Sequence, residues 1–402
     1  MRKIVVQAAV VIILIIVFSS SLRAQQGPIR ILILHPLSGP AKASGEQWVL
    51  GARFAVDETN AQGGVLGRKV ELISEDSQLK PEVAMSKAQK YLLEGRADII
   101  LGAGSNIVKP LQDLTKEYNI LLVMAAHSDD ETGKNFTYNA VRPTWNTSMM
   151  ARTLVAYAAK NLPYKKFYLL NQDYSYGRDY GAALKREIAR QIPGGQIVAD
   201  DYHPLMSKDL SPFFTKIKNS GAEAIISSDW GLDISVLLKQ RLDLGIKAVV
   251  LGPALADRAV ILENPDASLN NIAVDTYFPT VNTKESIAFV SDWKKWYKGA
   301  EYPEPTSIAA REYIGIKFIL EGVKKAGSVE VNKLVPALEG LRMKSVIGEI
   351  YMRVCDHQLI MPLPVVTITS KTPPYFSPAT MIPASEVAIE EEEVNNPRCK
   401  RK

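Results

Sequence analysis

Residues 97–126, ADIILGAGSNIVKPLQDLTKEYNILLVMAA, change hydrophobic period twice. A short β-rich run over 97–101 passes through Gly102-Ala103-Gly104 into a stretch over 107–118 with apolar residues at helical spacing. A second apolar run then covers 120–125. Runs of four to eight apolar residues bounded by glycine read as buried strands, and the segment between them as an amphipathic helix. Strand, helix and strand in this order predict two parallel strands joined by a crossover helix.

The same cycle extends in both directions. Upstream, the spacing predicts strands over 29–34 and 70–74. The helix between them, over 44–60, has Ser44 and Gln47 at capping-box spacing and ends at Gly63-Gly64. A further helix is predicted with Pro81 in its first turn. Downstream of Arg142-Pro143, strands are predicted over 166–171, 196–202, 222–227 and 248–251. Helices are predicted over 146–160, 180–191, 210–219 and 232–244. Helices over 284–298, 307–325 and 331–338 follow, then strand-like runs over 348–354 and 364–369. Strands alternating with helices predict an α/β fold with parallel sheets covered on both faces. Beyond Lys371, Pro373-Pro374, the acidic run 390–393 and the final Lys-Arg-Lys have the composition of a tail. No tandem period points to a solenoid or propeller.

The first residues point to export. Arg2 and Lys3 precede an apolar run over 4–18, and a small, polar stretch leads to Ala24. This is the layout of a signal peptide over 1–24, and the run is shorter than the roughly 20 residues of a spanning helix. Loss of that segment removes Arg2, Lys3 and Arg23 and no acid, lowering the formal charge from +5 to +2. Such a balance argues against a nucleic-acid binder. Cys355 and Cys399 are the two cysteines. In an oxidising compartment they read as a disulfide ahead of a metal or redox site, with two free thiols as the alternative.

Ligands of open parallel sheets sit beyond the carboxyl ends of the strands. Three such loops stand in the first half: 36–45, with Ser38 and Ser44; Gly102 to Asn106; and Ala126-His127-Ser128-Asp129. In the second loop glycines admit close approach, and free amides at a helix start favour an anion. Ser105 fits there either as a ligand donor or as a plain helix cap. A dinucleotide fingerprint is excluded, since Ile107 takes the third glycine position and no acid ends the next strand. In the second half, Asp173 to Gly177 and Ser228 to Gly231 follow strands. Tyr176 and Trp230 would cover a ligand or pack the interior. Asp229 or Asp233 could meet an ammonium group, and Asp229 also suits a cap. The four histidines lack metal-ligand spacing, and no nucleophile elbow or phosphate loop occurs. No cofactor, metal or catalytic set is expected, and the enzyme reading ranks last.

Several segments carry a family likeness. Pro36-Leu-Ser-Gly-Pro40, Gly51-Ala52 with Asp57-Glu58, and Asn60 through Arg68 resemble branched-chain amino-acid-binding proteins. So do Tyr174 through Gly177 and the run from Leu237 to Gly245. The likeness spans about residues 29–369, and Arg353 to Gln358 with a late cysteine is similar to a proteobacterial branch for amino acids, amides and related solutes. It implies a type I periplasmic binding fold, two lobes joined by three crossings near Arg142, Asp275 and Met352. Lobe one would take 27–143 and 276–352, lobe two 144–275 and 353–372, and a tail 373–402.

The resemblance also implies a periplasmic monomer that captures a small molecule for the permease and ATPase subunits of an ABC transporter. A ligand sensor of the same fold is the alternative. The loop at Ser105 and Asn106 would grip a carboxylate, Ala126 and Ser128 would add contacts, and Tyr176 and Trp230 would close from the other lobe. One position departs from the pattern. Family amino-acid binders place an acid directly after a Gly-Pro, whereas Gly252-Pro253 is followed here by Ala254. Asp229, Asp233 or another acid then substitutes, or the ligand has no ammonium group.

Overall fold

The computed structural model of the chain describes residues 27–400; the signal peptide read over 1–24 lies outside the described residues. The crossover unit at 97–126 forms β3 (Ile99–Ala103), the helix Ser105–Glu117 and β4 (Leu121–Ala125). All ten residues of these two strands are buried, as continuous apolar runs require when helices cover both faces of a sheet. With β1 (Ile29–His35), β2 (Val70–Asp76) and β5 (Ala140–Val141) they make a five-stranded parallel sheet of order β2-β1-β3-β4-β5.

A second sheet has seven strands, ordered β15-β14-β10-β9-β8-β6-β7. Its parallel part is β6 (Lys166–Gln172), β7 (Gln196–His203), β8 (Ala224–Ser227), β9 (Val249–Gly252) and β10 (Ile272–Val274). Antiparallel β14 (Leu363–Thr367) and β15 (Thr380–Ile382) complete it. A small antiparallel sheet holds β11 (Arg342–Ser345), β12 (Gly348–Met352) and β13 (Leu359–Ile360). The fold is α/β with two mainly parallel sheets, as the alternation predicts. Among the described residues, no helix is long and apolar enough to cross a membrane.

The chain enters the second sheet after β5, leaves it after β10 and returns at β14. The intervening helix Ser307–Ala326 packs on Lys42–Ala61 so closely that a Cβ at Gly51 would stand 2.0 Å from the Ala309 carbonyl oxygen. Glycine is the residue that permits this approach. The first and third crossing segments touch: the Arg142 amide donates to the His357 carbonyl at 3.0 Å, and the Leu359 amide to the Arg142 carbonyl at 2.9 Å.

Three expectations shift. The helix read over 44–60 begins at Lys42, because a 3-10 turn over Gly39–Ala41 carries the chain into it. Ser44 and Gln47 therefore lie inside the helix, both buried, and form no capping box. The helix read from 180 begins at Ser175, which puts Tyr176 in its first turn. The segment past Lys371, read as a tail, supplies β15 and folds back until Cys399 joins Cys355 in a disulfide.

Candidate functional site

The carboxyl ends of β3 and β4 face those of β6, β8 and β9 across a cleft. From the first layer it is lined by Ser44, Trp48, Gly104, Ser105, Ala126 and His127, and from the helix Ser307–Ala326 by Ile308 and Arg311. Tyr174, Tyr176, Trp230, Ala254 and Asp257 face them from the second layer, with Trp145 and Asp275 beside the crossings. The placement at strand ends is that of a ligand crevice in open α/β sheets.

Of the residues that the sequence and the resemblance mark as ligand contacts, Ser105, Ala126, Tyr176 and Trp230 meet here. Ser105 is no cap. The N-cap is Gly104, at φ 101°, and Ser105 is the first helical residue. Its Oγ accepts from the backbone amides of His127 and Ser128 at 3.3 and 3.2 Å, which ties the two loops together. Asn106, Ser128 and Asp229 stand outside the lining. Asn106 Nδ2 donates to the Leu79 carbonyl at 3.0 Å, and the Ser128 hydroxyl donates to Asp179 on the helix Ser175–Gln191.

Asp229 is buried against His203, 2.9 Å from its Nε2, and the N-cap of the helix Leu232–Asp243 is Gly231. Burial works against the imidazolium, but the Asp229 carboxylate overcomes it and holds His203 at about 9. A histidine raised above its unfolded value of about 6.5 contributes stability that is full below pH 6.5 and lost as pH climbs to 9. Thermal melts from pH 6 to 9.5 should show that decline, and His203→Gln should flatten it. An equally steep decline in the variant would remove His203 as its source. Asp233, near Asp229, accepts from the Met206 amide at 2.9 Å. Burial and the Asp229 charge push its carboxyl up to about 6.

Rings dominate the cleft. Trp48 and Trp230 approach across it at 6.4 Å between centroids, and the Trp230 indole donates to the Tyr174 hydroxyl at 3.0 Å. His127 stacks on Trp145 at 3.6 Å and 12°, and its Nδ1 bonds the Trp145 carbonyl at 3.0 Å. Burial, then the positive Arg311, press the His127 pKa well below its usual value. The ring is neutral at pH 7 with its proton on Nδ1, which makes Nε2 an acceptor.

Three ionisable groups of the cleft are not among the site residues read from the sequence. Asp257, three residues past Ala254, caps the helix Arg258–Glu263 through the Ala259 amide at 3.1 Å and takes Gln47 Nε2 from the opposite layer at 3.3 Å. Burial raises its pKa against those bonds. Asp275 Oδ1 accepts from the Trp145 indole at 3.1 Å and the Thr276 amide at 2.6 Å. Arg311 Nη1 reaches the same oxygen at 3.4 Å. The sequence signal for Arg311 was available: with Glu312, it is a charged residue on a buried helix among Ile308, Ala309, Ala310 and Ile314.

Comparison with known proteins agrees with this geometry. A model described as periplasmic binding protein matches residues 28–373. A Brucella melitensis protein described as Leu/Ile/Val-binding protein homolog 4 is 24% identical over 382 residues, covering 92% of this chain and 90% of the relative. A Brucella ovis leucine-, isoleucine-, valine-, threonine- and alanine-binding protein, solved in a closed conformation, superposes with a TM-score of 0.82 at 21% identity, covering 90% of this chain and 97% of that one. A Rhodopseudomonas palustris solute-binding protein of an ABC transporter, solved with 3,4-dihydroxybenzoic acid, gives 0.79 at 20% identity, covering 89% and 97%.

Proposed function

The chain belongs to the periplasmic binding protein family, and from that premise we propose that it is the extracytoplasmic substrate-binding protein of an ABC importer. It captures a small amino acid, amide or carboxylate between two closing lobes and presents the closed form to permease and ATPase subunits. The lobes are 27–143 with 276–352, and 144–275 with the chain from 353 onward, whose β15 belongs to the second sheet. The protein works in the periplasm as a monomer after losing residues 1–24, and it turns over no substrate.

The observation that carries this reading is the cleft lined from both layers, with Trp48 opposite Trp230 and Gln47 bonded to Asp257. A ligand touching both walls has more contacts in the closed form than in the open one, and that difference is what shifts the population. Ser105, Ala126, Tyr176 and Trp230 are its contact residues. Asn106 and Ser128 support the loops behind them, and Asp257 takes the place of Asp229 as the acid nearest a ligand ammonium. The names of the relatives agree with an amino acid or a carboxylate as ligand.

A thermal-shift screen of amino acids, amides and aromatic or aliphatic carboxylates tests the reading. A true ligand at 100 times its Kd adds about 2.7 kcal/mol of stability, and X-ray scattering should then show a smaller radius of gyration. A stabilising ligand that leaves the radius unchanged would count against lobe closure. Release of a chemically altered ligand would make the protein an enzyme.

A further inference from the structure

Most arginines buried in this protein bond through both terminal nitrogens; Arg241, whose Nε has no partner among the described residues, still donates to the Ala248 and Ala267 carbonyls at 3.1 and 2.8 Å. Arg142 bonds through Nε to Gln358 and through its two terminal nitrogens to Ser128, Glu131 and Thr132. Arg353 bonds through all three nitrogens to Asp356 and the Ile389 carbonyl. Arg311, only 6% exposed, makes one bond, and it is long: 3.4 Å to an Asp275 oxygen that already takes two shorter bonds from Trp145 and Thr276. Its Nε has no partner among the described residues.

Arg311 lines the cleft, and its guanidinium carbon lies 5.5 Å from the Trp145 ring centre and 5.9 Å from that of Trp48. The Trp48 indole nitrogen, also buried, likewise has no partner among the described residues. Two buried groups on one stretch of cleft wall are thus left with a donor and no acceptor. Buried donors in native proteins are met by an acceptor, and a guanidinium edge matches a carboxylate in shape as well as charge. At the Ser105 end the hydroxyl oxygen is already taken up by the amides of His127 and Ser128.

We infer that Arg311, with the Trp48 indole N–H beside it, holds the anionic group of the ligand, a small carboxylate whose apolar body lies among the cleft's rings. The inference rests on the capture function proposed above and assigns the charge recognition within it to a residue outside the loops that the family likeness points to. An uncharged amide would bind less well, because it replaces one of two anionic oxygens by a donor facing donors. A cationic end, where the ligand has one, falls to Asp257 on the opposite wall, so amino acids and plain carboxylates share the Arg311 contact.

The test measures four pairs by calorimetry on the mature protein: benzoate and benzamide, 4-hydroxybenzoate and 4-hydroxybenzamide, phenylacetate and phenylacetamide, leucine and leucinamide. The wild-type protein should prefer the carboxylate of whichever pair binds by about 10- to 100-fold, the range expected for a hydrogen bond to a charged group. In Arg311→Gln that preference should collapse to within about threefold. Trp48→Phe, which keeps the ring and loses the N–H, should reduce it by about three- to tenfold and serves if Arg311→Gln does not fold. Because each ratio is taken within one protein, a change in stability does not move it. Equal wild-type affinity within the binding pair, or a preference unchanged in both variants, overturns the Arg311 assignment and leaves capture standing. Binding of an amide without its carboxylate overturns the Arg311 assignment alone, and a wild-type protein that binds none of the eight compounds overturns both.

Discussion

Replacing Arg142 by methionine should cost about 3–5 kcal/mol of stability, the usual penalty for removing one partner of a buried ion pair. The side chain is fully buried where the first crossing leaves β5, and it gathers groups from two distant segments, 128–132 and Gln358. Nε donates to Gln358 Oε1 at 2.6 Å, Nη1 to Glu131 Oε2 at 2.9 Å and Nη2 to Thr132 Oγ1 at 2.6 Å. Methionine fills much of the volume but leaves these acceptors, and the Ser128 carbonyl, without a donor. The deficit should depend on pH in a stated direction. Burial already raises Glu131 to about 7 against the pull of Arg142, and without that pull it rises further.

An acid raised above its unfolded value destabilises the fold progressively as pH climbs through that interval, because the folded state resists ionisation. The gap between wild type and Arg142→Met should therefore widen from pH 5 to pH 8 in urea titrations. Adding Glu131→Gln should recover part of the loss at pH 8 and little at pH 5. A gap independent of pH would mean that Glu131 is not the group left uncompensated.

The framework was legible because its strands are apolar on both faces and punctuated by glycine. β3, β4, β6 and β9 fall within two residues of the runs read from the sequence. What failed was local chemistry decided at a distance. Ser44 and Gln47 have the spacing of a cap, yet the preceding turn begins the helix at Lys42 and turns Gln47 toward Asp257, 210 residues away. Asp229 follows a strand and precedes a helix, the position of a cap or a ligand acid, but His203 at the end of β7 claims it. Asp257 lay hidden in a loop with no periodicity, and Arg311 in a third section far from the strand ends. In both cases the cleft is assembled from segments whose proximity only the crossings create. Ala254, by contrast, was informative. It does line the cleft, and Asp257, the acid three residues later, lines it as well.

The C-terminal segment was misjudged for a related reason, and it carries the other large effect. Its polar composition conceals a small apolar cluster of Ile389, Val394 and the two cysteines. Around that cluster Arg353 bonds the Ile389 carbonyl at 2.7 Å, Arg152 meets Glu393 at 2.9 Å, and Asn396 reaches the Thr132 carbonyl at 2.9 Å. The disulfide spans a sequence separation of 44, for which loop-closure entropy gives about 4 kcal/mol. Cys355→Ser with Cys399→Ser should therefore lower the melting temperature by about 5 °C. The segment after 388 should become the first site of limited proteolysis, since beyond β15 and the buried Val387 its remaining hold is a small apolar cluster and a handful of polar bonds. A non-reducing digest of the wild-type protein should yield one peptide linking Cys355 and Cys399. Two alkylated thiols there would refute the bridge. A double variant that melts with the wild type and resists protease equally would show that the Arg152, Arg353 and Asn396 contacts hold the segment without it.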